Sequence, residues 1–411
     1  MEITLDLTKE KCDVFQEYLH AAIRKLTGSP FGPPGSSGYR SDGRYVIYMS
    51  IDLPVESGVI AIQLIMAIEP DGSLKKVEFH STADDMDDSK WNIYAANFIT
   101  GVVTSAFSKN LSHVFIRSTF CWIGCDLDGE YWLPGFRFAP ATPKNEQSYL
   151  INAERYLYID QEVDAIDQMH ARDIASERAL QYSARLSLIL NRGLYKPPRG
   201  MKWFLEKNGS EGFVSRLEHL GFNSPPWPDK MPEKDVECRL GKYESSIFSE
   251  HQNSHGLLMC PKETRKILRG LNNCTPDIRE AFDSCARLYQ ISLTAGREFP
   301  TIRLAYQVGA VESITQKVTG YACFSDFIKK EFPIHDDSLD AFLERLYRAI
   351  RSAHFHGGSF PLGEFETKKI GWGIGNRNDH DNWNTDMLAS KLIRQSIVHW
   401  IHKEIMPRGE N

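Results

Sequence analysis

Between Leu346 and Gly358 the chain reads Leu-Tyr-Arg-Ala-Ile-Arg-Ser-Ala-His-Phe-His-Gly-Gly: two arginines and two histidines crowd the last turns of an apolar helix pattern, just before a double glycine. A guanidinium keeps its charge at every ordinary pH and grips phosphate oxygens through parallel N–H groups. An imidazole accepts a proton near neutrality. Together they suffice for one reaction that calls for no metal. The 2′-hydroxyl of RNA is an internal nucleophile, so a protein need only remove its proton and stabilise the charge that gathers on phosphorus, leaving a 2′,3′-cyclic phosphate.

The helix that must deliver these groups runs over Ser338 to Ala353. There Leu339, Phe342, Leu343, Leu346, Tyr347 and Ile350 recur at helical spacing, with Asp336 to Ser338 as N-cap candidates and Gly357-Gly358 as the stop. Residues five apart sit about 140° around an ideal helix. His356 therefore meets Arg351 only where the helix frays or turns at the glycines, whereas His354, three on from Arg351, shares its face. Three other helix patterns, Pro276 to Ala295, Pro300 to Thr315 and Thr385 to Glu404, make a packed bundle the expectation for this end of the chain. On the second of them Glu312 continues the stripe of Ile302, Ala305 and Gly309, so its carboxylate points inward and calls for a cation.

These features resemble the HEPN superfamily, specifically its Apea-like branch, whose members carry Arg, a polar residue and then His-Gly at the end of a helix preceded by a Leu-Tyr pair. The resemblance covers residues 275 to 405 and leaves out the first 148. Its spacing of four to six intervening residues fits both Arg351 with His356 and Arg348 with His354. Ser352 and Gly357 match the polar and glycine positions, while Ala349 and Phe355 do not, which favours Arg351 and His356. The family also implies an acidic residue in an Ala-x-Glu setting, matched by Ala310-Val311-Glu312. The roles implied are His356 as base, Arg351 on phosphate, and Glu312 and Ser352 as positioning groups. A second copy usually completes the groove, so the resemblance implies a homodimer. It further implies a metal-independent endoribonuclease acting on RNA, of the kind used in bacterial antiphage defence or as a toxin. The alternative it carries is a non-catalytic module that dimerises or binds a nucleotide.

The first 148 residues have another texture. A helix pattern over Lys9 to Leu26 precedes a Gly-, Ser- and Pro-rich loop, Thr27 to Gly43. Strand-like runs follow at Tyr45 to Ile51, Val59 to Met66 and, after the turn Asp71-Gly72, Lys75 to Ser81. A helix is expected over Trp91 to Phe107, and strands over His113 to Ile123 and Tyr131 to Phe138. The Gly- and Pro-free stretch Asp160 to Arg192 reads as one long helix, Phe213 to Leu220 as another helical piece, and 224 to 262 as irregular. The expected fold class is α+β. An α+β domain over 1–148 would seat a trigger or inhibitor, a helical and irregular connection would span 149–262, and the all-α HEPN-like bundle 263–411.

A chain of 411 residues, 42% hydrophobic and 25% charged, belongs with ordinary globular proteins of more than one domain. Its net charge of -6 gives no bulk attraction to nucleic acid, so any RNA contact must come from a local patch. His354, Lys368, Lys369 and Arg377 are the candidates, the last three interleaved with Trp372 and Trp383, whose indoles suit stacking on unpaired bases. Eight scattered cysteines, a start without leader character and the lack of an apolar run near the roughly 20 residues of a membrane span point to a reduced, cytoplasmic protein. No cofactor or metal is expected. Cys121 and Cys125 have the wrong spacing for a zinc hairpin, His251 and His255 sit in loop context, Asp84 to Asp88 precede a helix, and Asp379 to Asp381 read as an exposed loop.

Overall fold

The computed structural model describes residues 1–28, 33–56, 58–81, 88–108, 111–141, 153–196, 201–207, 213–219, 229–234, 239–243, 246–248, 257–332, 337–365 and 377–406. They form two units, Met1–Ile116 with Glu162–Ala175, and Arg117–Gln161 with Ser176–Asn411. The fold class is α+β, sheet-rich towards the N-terminus and helical towards the C-terminus. Among the described residues no helix is long and apolar enough to cross a membrane.

The first unit contains β1 (Glu2–Leu7), α1 (Lys9–Thr27), β2 (Gly35–Tyr39), β3 (Tyr45–Val55), β4 (Gly58–Ile68), β5 (Leu74–Ser81) and α2 (Asp88–Ser108). The strands form one antiparallel sheet in the order β1-β5-β4-β3-β2. Alternate residues Ile60, Ile62, Leu64 and Met66 of β4 turn to one face, where α1 supplies Phe15, Leu19 and Ile23, and α2 supplies Trp91, Ala95 and Ile99. A period of two thus meets one of 3.6 across a single core. One expectation fails here: the Gly/Ser loop contains β2, paired residue for residue with β3 from Gly35↔Met49 to Tyr39↔Tyr45. Every residue of β2 is exposed, so it needed no apolar side to be a strand.

Next in the chain, β6 (Ser112–Gly124), β7 (Asp126–Leu127), β8 (Tyr131–Leu133), β9 (Phe136–Pro140) and β10 (Ala153–Ala165) precede α3 (Gln168–Leu190); β7 to β9 lie in the second unit, while β6, β10 and α3 have residues in both. The larger sheet runs β6-β10-β9-β8. The long helix read from Asp160 is therefore corrected: its first residues finish β10. Asp160 is wholly buried, held by the Arg117 guanidinium at 2.7 and 3.0 Å and by Arg137. Asp167 then opens α3, its Oδ1 accepting the His170 N–H at 2.8 Å. The helical reading of Phe213 to Leu220 is also wrong. That segment is β12 (Phe213–His219), paired antiparallel with β11 (Met201–Lys207), a partner the sequence pattern did not reveal. The short β13 (Leu257–Leu258) lies parallel to β7.

The helical part comprises α4 (Thr264–Asn273), α5 (Pro276–Thr294), α6 (Pro300–Thr315), α7 (Phe324–Glu331), α8 (Asp337–Glu344), a π-helical segment Arg345–Ser352, α9 (Ala353–Gly357) and α10 (Arg377–Glu404). Proline opens both α5 and α6, where its missing N–H costs nothing. Leu188 of α3, Phe282 of α5, Val308 and Val311 of α6, Phe327 of α7 and Trp400 of α10 share one core. α4 and α7 escaped the sequence reading because each is short. α10 begins eight residues before Thr385, so Asp379 to Asp381 belong to a helix and not to a loop.

Glu331 ties α7 to α10. It is buried, and its carboxylate accepts hydrogen bonds from Tyr321 Oη at 2.5 Å, His399 Nδ1 at 2.7 Å and Lys403 Nζ at 3.0 Å. Burial pushes the carboxyl up, but these donors outweigh it and hold the group below its ordinary value of 4.5. A folded-state pKa below the unfolded one gives stability that is complete above the unfolded value and lost as pH falls through the folded one. Glu331→Gln should accordingly flatten the acid limb of stability. Urea midpoints between about pH 5 and pH 3 check this, and equal slopes in the two proteins would contradict it.

Candidate functional site

α6 carries Glu312 near its C-terminal end, on the face shared with Ile302, Ala305 and Gly309. Against α6 packs the segment that was expected to continue α8 as an ordinary helix. From Arg345 to Ser352 it is instead π-helical, the Ala353 N–H reaching back to the Arg348 carbonyl. Such i→i+5 turns are rare and concentrate at functional sites. Leu346 and Ile350 remain buried, so the widened turn keeps its apolar side on the core and leaves Arg345, Tyr347 and Arg348 outside.

Arg351 sits at the edge of that turn. Its Nε donates to Glu312 Oε2 at 3.0 Å and Nη2 lies 2.9 Å from the same oxygen as an ion pair, with side-chain exposures of 24% for Arg351 and 15% for Glu312. The pair foreseen from the Glu312 stripe is present. It uses the Nε/Nη2 edge of the guanidinium and leaves Nη1 for another acceptor. Tyr347 and Phe355, four residues before and after Arg351, place their rings 5.5 Å from the guanidinium carbon. Phe355 in turn meets Tyr306 of α6 edge-on at 5.4 Å. Sequence reasoning missed the aromatic flanks, although their spacing of four on either side of Arg351 was there to be seen.

The two histidines differ. His354 is partly buried, and its Nδ1 lies 3.2 Å from the Ser359 carbonyl oxygen. A carbonyl only accepts, so in that contact the imidazole donates from Nδ1. Phe355 and Phe360 hold the ring edge-on at 5.4 and 5.0 Å. His356 is exposed in the last turn of α9. Gly358, at a left-handed φ of 62°, ends that helix as the sequence implied; its N–H bonds the His354 carbonyl at 3.0 Å, and the Ser359 N–H bonds the Ala353 carbonyl at 3.2 Å. Ser352 is half-buried, and its hydroxyl makes no hydrogen bond among the described residues.

The structure thus brings Glu312 and Arg351 together and puts His354 on the following turn. Lys368, Lys369 and Trp372 lie outside the described residues, as do Asp84 to Asp87, His251 and His255. Arg377 opens α10, but its side chain is not among those described, while Trp383 is exposed on the same helix. Among the described residues no three His, Cys, Asp or Glu side chains gather as a metal site. Arg345, Arg348 and Arg351 make the segment locally basic in an acidic chain, with Arg348 meeting Glu344 at 3.3 Å. Chemically, the arrangement can bind a phosphate on an oriented guanidinium, lay bases on exposed rings and accept a proton on a fixed imidazole. Set against family models, curated proteins and solved structures, the chain matches none.

Proposed function

We propose that the helical part is a HEPN-like, metal-independent endoribonuclease. Arg351 binds the scissile phosphate through the donors that Glu312 leaves open, and Ser352 stands beside it as a further positioning group. A histidine of the adjoining turn takes the 2′-hydroxyl proton. The 2′-oxygen then bonds to phosphorus, the bond to the 5′-oxygen breaks, and that oxygen leaves with a proton from an imidazolium or from water. The products are a 2′,3′-cyclic phosphate and a 5′-hydroxyl.

The observation that carries this reading is the half-buried Glu312–Arg351 pair, which fixes a guanidinium at the surface between two exposed rings. Tyr347 and Phe355, 38% and 45% exposed, suit stacking on unpaired bases. His356 is the base on its glycine context. His354 is the second candidate, because its Nδ1 contact leaves Nε2 free to act as one. Two copies facing each other would supply two such sets, and a trigger acting elsewhere on the chain would suit a dormant antiphage or toxin-type effector.

Incubating the pure protein with total RNA in EDTA tests the proposal. Fragmentation in the chelator is expected. RNA that is bound but unbroken would favour the interaction module, and cleavage that returns only on adding a divalent cation would overturn the mechanism.

A further inference from the structure

A second site lies on the same α6 helix. Between α5, α6 and α10 is a cleft of about 490 Å³, within the range of small-molecule sites. Tyr289 and Leu293 of α5 and Val398 of α10 give it apolar walls, and Trp383, 60% exposed, stands at its rim. Gln307 is part of its lining. The side chain is 1% exposed, Oε1 is sealed from solvent without a partner, and the amide nitrogen makes no hydrogen bond among the described residues. Ser390 Oγ, on the facing helix, is buried and unpartnered as well. An amide and a hydroxyl left unmet in one cleft are unusual in a native fold.

Several stronger groups there are already engaged. Arg303, four residues before Gln307 on the same face of α6, is paired with Asp386, Nε to Oδ1 at 3.0 Å. Arg394 donates to the carbonyls of Leu188 and Ile189 at the end of α3. The Tyr289 hydroxyl donates to Asn191 Oδ1 at 2.8 Å. Among the described residues, the buried side-chain atoms of the cleft without a partner are neutral: the Gln307 amide oxygen, an acceptor beside its own donors, and the Ser390 hydroxyl. The complement of an amide edge is a planar edge with a donor beside an acceptor, as in a cyclic lactam or a ring amidine. Flat apolar faces complete the fit.

We propose that this cleft binds a planar nitrogen heterocycle, its donor–acceptor edge on Gln307, Ser390 taking a further polar atom, and one ring face towards Trp383. Such a ring can arrive as a free small molecule or as an unpaired base of a strand. The proposal does not depend on RNA being cut at Arg351.

The test is binding to the full chain by calorimetry, with lumazine, uridine and adenosine as probes, alongside 3-methyluridine and N6,N6-dimethyladenosine, whose edges are blocked. At least one unblocked probe should saturate the protein. For a nucleoside that binds, the blocked counterpart should be weaker by about tenfold or more. Gln307→Leu should abolish that preference while leaving the melting temperature unchanged or higher, since it removes a buried unmet amide. Trp383→Ala, an exposed change, should weaken binding without touching the core. Oligouridine or oligoadenosine competing better than the free compounds would identify a strand as the source of the ring, and the reverse would identify a free molecule. No saturable binding of any unblocked probe, or affinities indifferent both to methylation and to Gln307→Leu, would overturn the proposal.

Discussion

Arg351→Ala should cut RNA cleavage by about two to three orders of magnitude, the usual cost of losing one preorganised group that stabilises transition-state charge. The variant also leaves Glu312, largely shielded, without its cation, at a cost to stability of about 1–3 kcal/mol. Turnover of a fluorogenic oligoribonucleotide, measured well below the variant's melting temperature, separates the two effects. Arg351→Lys keeps the charge but cannot serve Glu312 and a phosphate with two edges at once, so it should recover stability better than activity. His354→Ala and His356→Ala decide the base, since only loss of the true one should cut turnover by about two orders of magnitude or more while leaving RNA binding in place. Wild-type rates in Arg351→Ala would end its assignment to phosphate.

Asp283→Ala should be the most destabilising change in the helical part, at about 3–5 kcal/mol. Asp283 on α5 receives the Arg185 guanidinium of α3 in bidentate fashion, Nε to Oδ1 at 2.7 Å and Nη2 to Oδ2 at 2.9 Å, and Gln181 Nε2 adds a bond of 2.8 Å. Each charged side chain is only 8% exposed, so deleting the carboxylate strands a guanidinium in the core. A domain is stable by about 5–15 kcal/mol in all, and the loss would be a large share of it. Chemical denaturation followed by circular dichroism measures the change. The double variant Asp283→Ala, Arg185→Leu should regain most of it, because replacing a whole buried pair is far milder than breaking it. A loss under about 1 kcal/mol for the single change would mean the pair behaves as a surface bridge.

What the sequence disclosed depended on how each element meets solvent. α1, α2 and α5 each bury one face, so their periodicity marked them closely, while α6 is buried on most of its circumference and was marked by Pro300 and its apolar run. Glu312 was picked out as continuing Ile302, Ala305 and Gly309, but the inward direction expected for it is corrected: Ile302, Gly309 and Glu312 are only half-buried, on the less covered side of α6, which is where Arg351 meets the carboxylate. β10 was hidden because it is buried on both faces and carries Asp160, whose arginine partners come from β6 and β9 and leave no local sign. β2 was hidden for the opposite cause, having no buried face at all. The π-helical turn has no compositional signature. It is set by how Leu346 and Ile350 reach the core, and it fixes where Arg351 emerges. The setting of His354 could not be read from spacing, because its Nδ1 contact is with the Ser359 carbonyl, which lies beyond the helix end.

The measurement that bears most directly on the central claim is the chemistry of the fragment ends made in EDTA from an oligoribonucleotide, beside the same oligomer carrying a 2′-deoxy sugar at the cut position. A 2′,3′-cyclic phosphate and a 5′-hydroxyl from the first, with no cut at the modified sugar in the second, are expected if an arginine and a histidine direct the 2′-oxygen onto phosphorus. A 5′-phosphate product, or cleavage of the deoxy-substituted strand at the same place, would contradict the account.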